Sequence, residues 1–370
     1  MNSVLVQFFG FKKSSTARPL RTDVILLVLV CFALCDGALA VSPAPDGGYA
    51  NGNTAEGTDA LHNLDTSQGR TNTAVGFDAL YSTFSGANNT AVGYRALYSG
   101  TGFFFNNTAT GYFALYSNTT GNYNTANGST ALLSNTTGIY NTAVGDSALS
   151  DNTTGSYNTA SGHAALVGNT TGGSNTAVGD GALAGNGSGN GNTATGSDAL
   201  NNNNGDNNTA TGFRALIYNT TGNNNTANGT NALAESTNGR DNTATGYAAL
   251  TSAGFDATGN TATGSTALYS NGSAGFNTAT GYAALYKNTS GFNQTATGAD
   301  ALYNNTIGNE NTATGGGALY SNTMGNNNTA NGFEALFSNT NGSNNTGDGL
   351  LALENNTIGH DNLPSCSFRV

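Results

Sequence analysis

Pairs of threonines separated by one alanine recur through the second half of this 370-residue chain: Thr193 and Thr195, Thr209 and Thr211, Thr243 and Thr245, Thr261 and Thr263, Thr278 and Thr280, Thr295 and Thr297, and Thr312 and Thr314. Residues two apart on a β-strand point to one face, so each pair presents two hydroxyls side by side. A hydroxyl donates and accepts hydrogen bonds, and a repeated array of them suits ordered water or a polar ligand. A second pattern is aromatic. Tyr269, Tyr286, Tyr303 and Tyr320 follow at intervals of 17 residues. Tyr81, Tyr98, Tyr116 and Phe337 hold the same position in other units, and Tyr94, Tyr112, Tyr247 and Tyr282 hold a position four residues earlier. Such rows suit packing between subunits or contact with sugars and proteins.

Reactive groups are sparser. Asp59, Asp78, Asp198, Asp300 and Glu334 share one position of the unit. They read as spaced by neutral units, without the close carboxylate pair that glycoside hydrolysis needs. His62, His163 and His360 sit at unrelated positions and have no recurring Ser or Cys partner. The expectation is a protein that is not an enzyme, with no metal site and no cofactor. Ten Lys and Arg stand against 21 Asp and Glu, which leaves no basic footprint for nucleic acid.

The element that positions these residues is a repeat. The block Asn-Thr-Ala-x-Gly-x-x-Ala-Leu begins at Asn53 and recurs eighteen times, ending with the copy at Asn345; the first residue departs once, at Gln294, and the first Ala once, at Gly347. With the first residue as offset zero, Thr at one, Gly at four, Ala at seven and Leu at eight are invariant. The spacing is 17 except for one 16, two 18 and one 19, and every length change falls between the Leu and the next Asn. That second half usually reads Asn-Thr-Thr-Gly, as at 118–121, and carries turn residues. One unit cannot fold alone, because burying a Leu gains about 2 kcal/mol while ordering 17 residues costs roughly 25 kcal/mol. Units must therefore stack at the ~4.8 Å strand spacing. The expected fold is all-β, a parallel β-solenoid of about 18 coils of ~17 residues spanning 53–361, with room in each for two strands of about four residues and two tight turns. Strand alternation puts Asn at zero and Ala at two inward, and Thr at one and the residue at three outward. Leu at eight is the core residue; Ala at seven then faces away unless the chain bends there. Composition without order would mislead, since 57 Asn and 53 Gly resemble a disordered chain.

The first forty residues differ. Lys12, Lys13, Arg18 and Arg21 precede an apolar run from Val24 to Leu34 and then Ala38-Leu39-Ala40, the pattern of a secretory signal. Cleavage after Ala40 is the expected processing, with retention as an anchor the alternative. Cleavage would also remove Cys31 and Cys35, leaving Cys366 alone. Residues 41–52 read as a linker and 362–370 as a tail. Asn-x-Ser/Thr occurs twenty times after residue 50, giving glycosylation acceptors if the host glycosylates.

The blocks Asn72-Thr-Ala-Val-Gly76, Asn89-Thr-Ala-Val-Gly93 and Asn141-Thr-Ala-Val-Gly145, each followed by x-x-Ala-Leu, resemble the head repeats of YadA-like trimeric autotransporter adhesins. Similar repeats occur in phage tail-fibre proteins. The resemblance covers about residues 53–361. It implies a left-handed parallel β-roll, a homotrimer, and binding to cell surfaces or extracellular matrix, while a carbohydrate ligand is what the aromatic rows suit. Heptads for a stalk and a C-terminal strand array for an anchor are not found, so secretion or a retained N-terminal segment is the expected route to the surface. The stacked Thr-Ala-Thr pairs also resemble the ice-binding face of β-solenoid antifreeze proteins, with ice as partner only under that alternative. Thr is equally a good strand former, and the same column fits a trimer interface or a wet sheet.

Overall fold

The computed structural model describes residues 49–363 apart from 66, 255 and 256. The signal-like segment 1–40, most of the linker, and Cys366 lie outside the described residues. Within them, no helix is long and apolar enough to cross a membrane.

Each block's Thr-Ala-x triplet forms a strand of three residues, eighteen in all, from β1 (Thr54–Glu56) to β18 (Thr346–Asp348). Each strand pairs in parallel with the next in chain order, and the register never slips: Thr278 lies on Thr295, Ala279 on Ala296 and Thr280 on Thr297. The molecule is a parallel β-solenoid. Alternation holds as expected, for Ala at offset two is buried in every coil that has it while its neighbours face out.

The strand ends at offset four, where Gly adopts φ between +120° and +150° in all eighteen coils. This region is closed to residues with a Cβ. At Gly212, for example, an added Cβ would lie 2.7 Å from the carbonyl carbon of Gly229 in the next coil.

The second strand expected in each unit does not form among the described residues. The backbone turns to positive φ at offset six and again at Leu, where φ is +51° to +54° in every coil. An extended run cannot survive two left-handed residues so close together. The bend also settles the orientation of Ala at seven: it and Leu at eight both point inward, and both are fully buried in most coils. A left-handed Leu costs roughly 1–2 kcal/mol, and complete burial of its side chain returns about 1.5–3 kcal/mol. Its N–H is also satisfied from coil to coil, as Leu115 N–H donates to Ala131 O at 3.0 Å.

Two columns of buried asparagine run beside the apolar core. In the first, at offset zero, Asn141 N–H donates to Asn124 Oδ1 at 3.0 Å and Asn141 Nδ2 donates to Gly155 O at 2.9 Å. In the second, at offset eleven, Asn152 Nδ2 donates to Asn135 Oδ1 at 2.8 Å and also to Gly155 O at 3.0 Å. The glycine carbonyl thus takes one amide from each column, using both lone pairs. The first ladder runs on to Asn362, which donates to Asn345 Oδ1 through its N–H at 3.1 Å and its Nδ2 at 2.8 Å.

The second ladder is interrupted. It runs from Asn118 to Asn219 and from Asn271 to Asn356, with Ser236 and Ala253 between. Near the N-terminus Leu64, Thr83 and Gly100 hold its position, and the ring of Phe104 fills the space beside Gly100. Three buried polar side-chain atoms lack a partner among the described residues: Thr83 Oγ1, Asn219 Oδ1 and Ser236 Oγ. All three lie at these breaks, where a short or absent side chain ends the chain of amides.

Candidate functional site

The strands place the threonine pairs on one continuous outer face. Of the fourteen residues from Thr193 to Thr314 named above, Thr193 is half-buried and the rest are exposed. Neighbours along a column are one strand spacing apart, ~4.8 Å, and the two columns about 6.7 Å apart. The described structure gives none of the fourteen hydroxyls a protein hydrogen bond, so all can meet water or a ligand. Asn228 in β11 (Thr226–Asn228) is the one interruption between β9 (Thr193–Thr195) and β16 (Thr312–Thr314).

The aromatic columns are built differently from what their sequence spacing suggests. Tyr269, Tyr286, Tyr303 and Tyr320 stack with Phe337 at centroid distances of 5.0–5.2 Å and interplanar angles of 4–12°. An interior ring therefore has a neighbour on each face and turns its edge outward. Only the terminal rings, Tyr269 and Phe337, have a face left. A second stack, His62–Tyr81–Tyr98–Tyr116, obeys the same rule. Burial pushes the phenol of Tyr98 above its ordinary value, with the Asp78 charge adding to it. Burial raises that of Tyr303 too, helped by the neighbouring phenols.

A few charges are paired. Arg95 pairs with Asp78 at 3.0 Å and lies 5.3 and 5.4 Å from the Tyr94 and Tyr98 ring centres. The hydrogen bond to Asp78 holds the guanidinium's pKa above its usual value. His163 Nδ1 lies 2.7 Å from Asp180 Oδ1, and its Nε2 is 3.9 Å from Asp146. Contrary to the spacing expected from the sequence, Asp59 and Asp78 occupy adjoining coils, where His62 lies 3.3 Å from Asp59. Among the described residues no group of three His, Cys, Asp or Glu could hold a metal ion. Asp198 lies six coils before Asp300, and one coil without an acid at that position separates Asp300 from Glu334.

Sequence reasoning missed two features. One is the second asparagine ladder, taken only for turn residues. The other is an aromatic stack at offset sixteen, Tyr123–Tyr140–Tyr157, at 4.6 and 5.2 Å. The same 17-residue spacing marks both. No protein-family model and no curated protein matches the chain.

Proposed function

We propose that this chain is an exported, non-enzymatic attachment rod, resembling a YadA-like head, that works as a homotrimer and binds cell-surface or matrix ligands along its outer columns. The observation that carries the reading is the set of fourteen threonine hydroxyls without a protein partner, held in register on one parallel sheet. A stack of near-identical coils offers a ligand many weak, equally spaced contacts, and avidity rather than a single deep site gives such a surface its grip. Export rests on the basic and apolar segments before residue 40. One chain already buries its leucines and both asparagine columns, so the trimer rests on the family resemblance rather than on the core. The outward edges of the aromatic columns, off the threonine-bearing sheet face, are what neighbouring chains would cover. Sedimentation of the mature chain should give three times the monomer mass at micromolar concentration; a single-chain mass throughout rules out the trimer. Replacing Thr278, Thr280, Thr295 and Thr297 together by Lys should abolish retention on matrix-coated surfaces, and unchanged retention would rule out the threonine face as the contact.

A second reading is favoured by the same array. Unpaired hydroxyls at ~4.8 Å by about 6.7 Å, uninterrupted from β12 (Thr243–Thr245) to β16, can order water into a lattice and bind ice. A freezing-point assay that shows neither thermal hysteresis nor inhibition of recrystallisation eliminates it.

A further inference from the structure

The outer face that carries the long tyrosine stack changes abruptly in the middle of the rod. At offset nine, the column from Phe337 back to Tyr269 is continued by Thr251, Ala234 and Ile217, each only 7 % exposed. Losing three rings leaves an open notch of about 330 Å³ against the end of the stack, a size at the lower end of small-molecule sites. The bend at Leu folds offsets six, nine and ten onto one side, so Arg214, Asn231 and Glu235 line the notch with Tyr269. We propose that this notch binds one neutral pyranose residue of a glycan.

Three observations select that ligand. Tyr269 is the terminal ring of its stack: Tyr286 covers one face, and Thr251, in the preceding coil, has no ring to cover the other. A free aromatic face at the wall of a cavity takes a flat ring with C–H bonds on its surface. The polar groups then discriminate among flat rings. Arg214 and Glu235 line the same notch, yet neither is in an ion pair among the described residues. The Arg214 guanidinium lies 5.7 Å from the Phe213 ring centre, and among the described residues the Glu235 carboxylate accepts only from Ser252 Oγ, at 2.8 Å. A carboxylate that accepts, a guanidinium that donates and the Asn231 amide that does both match a ring bearing hydroxyls. An aromatic side chain would cover Tyr269 but leave those groups without partners. A strongly anionic ligand is disfavoured by a chain of net charge −11.

This inference is independent of attachment by the threonine face, and each can fail without the other. The test is saturation-transfer NMR on the full chain with the methyl glycosides of glucose, galactose, mannose and N-acetylglucosamine. Saturable binding of at least one is expected, with the protons of one sugar face receiving most transfer. Tyr269→Ala should weaken it at least about tenfold. Because that variant disturbs the stack, Thr251→Tyr is the cleaner one: it supplies the missing ring, fills the notch, and should abolish binding while circular dichroism and melting stay at the parent level or better. No transfer to any glycoside at about 10 mM, ten times a 1 mM Kd, would overturn the proposal. So would equal binding by Thr251→Tyr. Binding of N-acetyltyrosinamide without any glycoside would overturn it in favour of a peptide side chain.

Discussion

Replacing Asn152 by Ala isolates what one rung of the second ladder contributes. Asn152 is fully buried in the middle of the unbroken run from Asn118 to Asn219. Its Nδ2 supplies the donor found for Asn135 Oδ1 in the described structure, at 2.8 Å, so truncation leaves that oxygen buried and unpaired. Gly155 O loses one amide but keeps Asn141 Nδ2 at 2.9 Å, and Asn169 Nδ2 loses its 2.7 Å acceptor but keeps Gly172 O at 3.0 Å. An orphaned buried acceptor costs about 1–3 kcal/mol and each further bond lost about 1 kcal/mol net. Since two of the three partners are only partly deprived, the sum expected is about 2–4 kcal/mol. In a solenoid, where each coil touches only its neighbours, the damage should stay local. Hydrogen exchange read by mass spectrometry should therefore show protection falling by roughly 30- to 1000-fold around Leu149–Asn169, with the coils beyond Ala267 unchanged. Thr153→Ala is the control, since its hydroxyl bonds Thr170 O from an exposed position and should cost under about 1 kcal/mol. If Asn152→Ala matches that control, or if protection falls evenly along the rod, the ladder is not what ties coil to coil.

Other expectations follow from the same geometry. Gly212→Ala puts a Cβ at φ +126° and 2.7 Å from the Gly229 carbonyl carbon; backbone strain alone costs roughly 1–3 kcal/mol, and denaturant melts should fall by at least that, whereas exposed Thr211→Ala should be near neutral. Ser236→Asn gives the orphaned Asn219 Oδ1 a donor and should raise the melting temperature, by about 1 kcal/mol of stability; a lowered one would mean the break accommodates something other than a missing amide. Burial raises the Tyr303 phenol, so its neutral form is the one the fold favours. The stability tied to it is full below the unfolded value of ~10 and is lost as pH rises through the higher folded value. Absorbance titration at alkaline pH should show late-ionising tyrosines, one of which Tyr303→Phe removes, and an unchanged curve would contradict the assignment.

Much of this fold was readable in the spacing because length changes never enter the first nine residues of the block. That constancy separated a rigid half from a tolerant half, and period-two alternation then placed Asn at zero and Ala at two correctly. It could not orient Ala at seven, because the answer depends on a left-handed Leu, a conformation that bulky residues adopt rarely. The second ladder was hidden by its own composition: Asn118-Thr-Thr-Gly121 is turn chemistry, and only the structure shows that the Asn side chain points into the core while its threonines stay nearer the surface. The aromatic rows were found as rows, but their faces were not. Whether a tyrosine column offers faces or edges depends on ring tilt. The notch at Tyr269 depends in turn on which offsets the bend brings together.

The low charge of the chain, 8 % Asp, Glu, Lys and Arg, follows from stacking itself. A residue at a repeated position meets its own copy at ~4.8 Å, above and below. Two like charges at that distance repel by about 3.5 kcal/mol at an effective dielectric of 20, and the cost recurs with every coil. A carboxylate also cannot donate, nor an ammonium accept, so neither can relay hydrogen bonds along a column. The carboxamide does both, which is why Asn rather than Asp fills the buried ladders and why Gln294 can stand in for it. Charges are confined to variable positions, and where two acids come close along a column a base lies beside them. Asp59 and Asp78, acids at one position of adjoining coils, have His62 and Arg95 beside them, and Asp146 and Asp180 are kept apart by His163. Arg214 and Glu235 line one cavity without an ion pair to each other or to another group among the described residues, and that cavity falls where the aromatic stack stops.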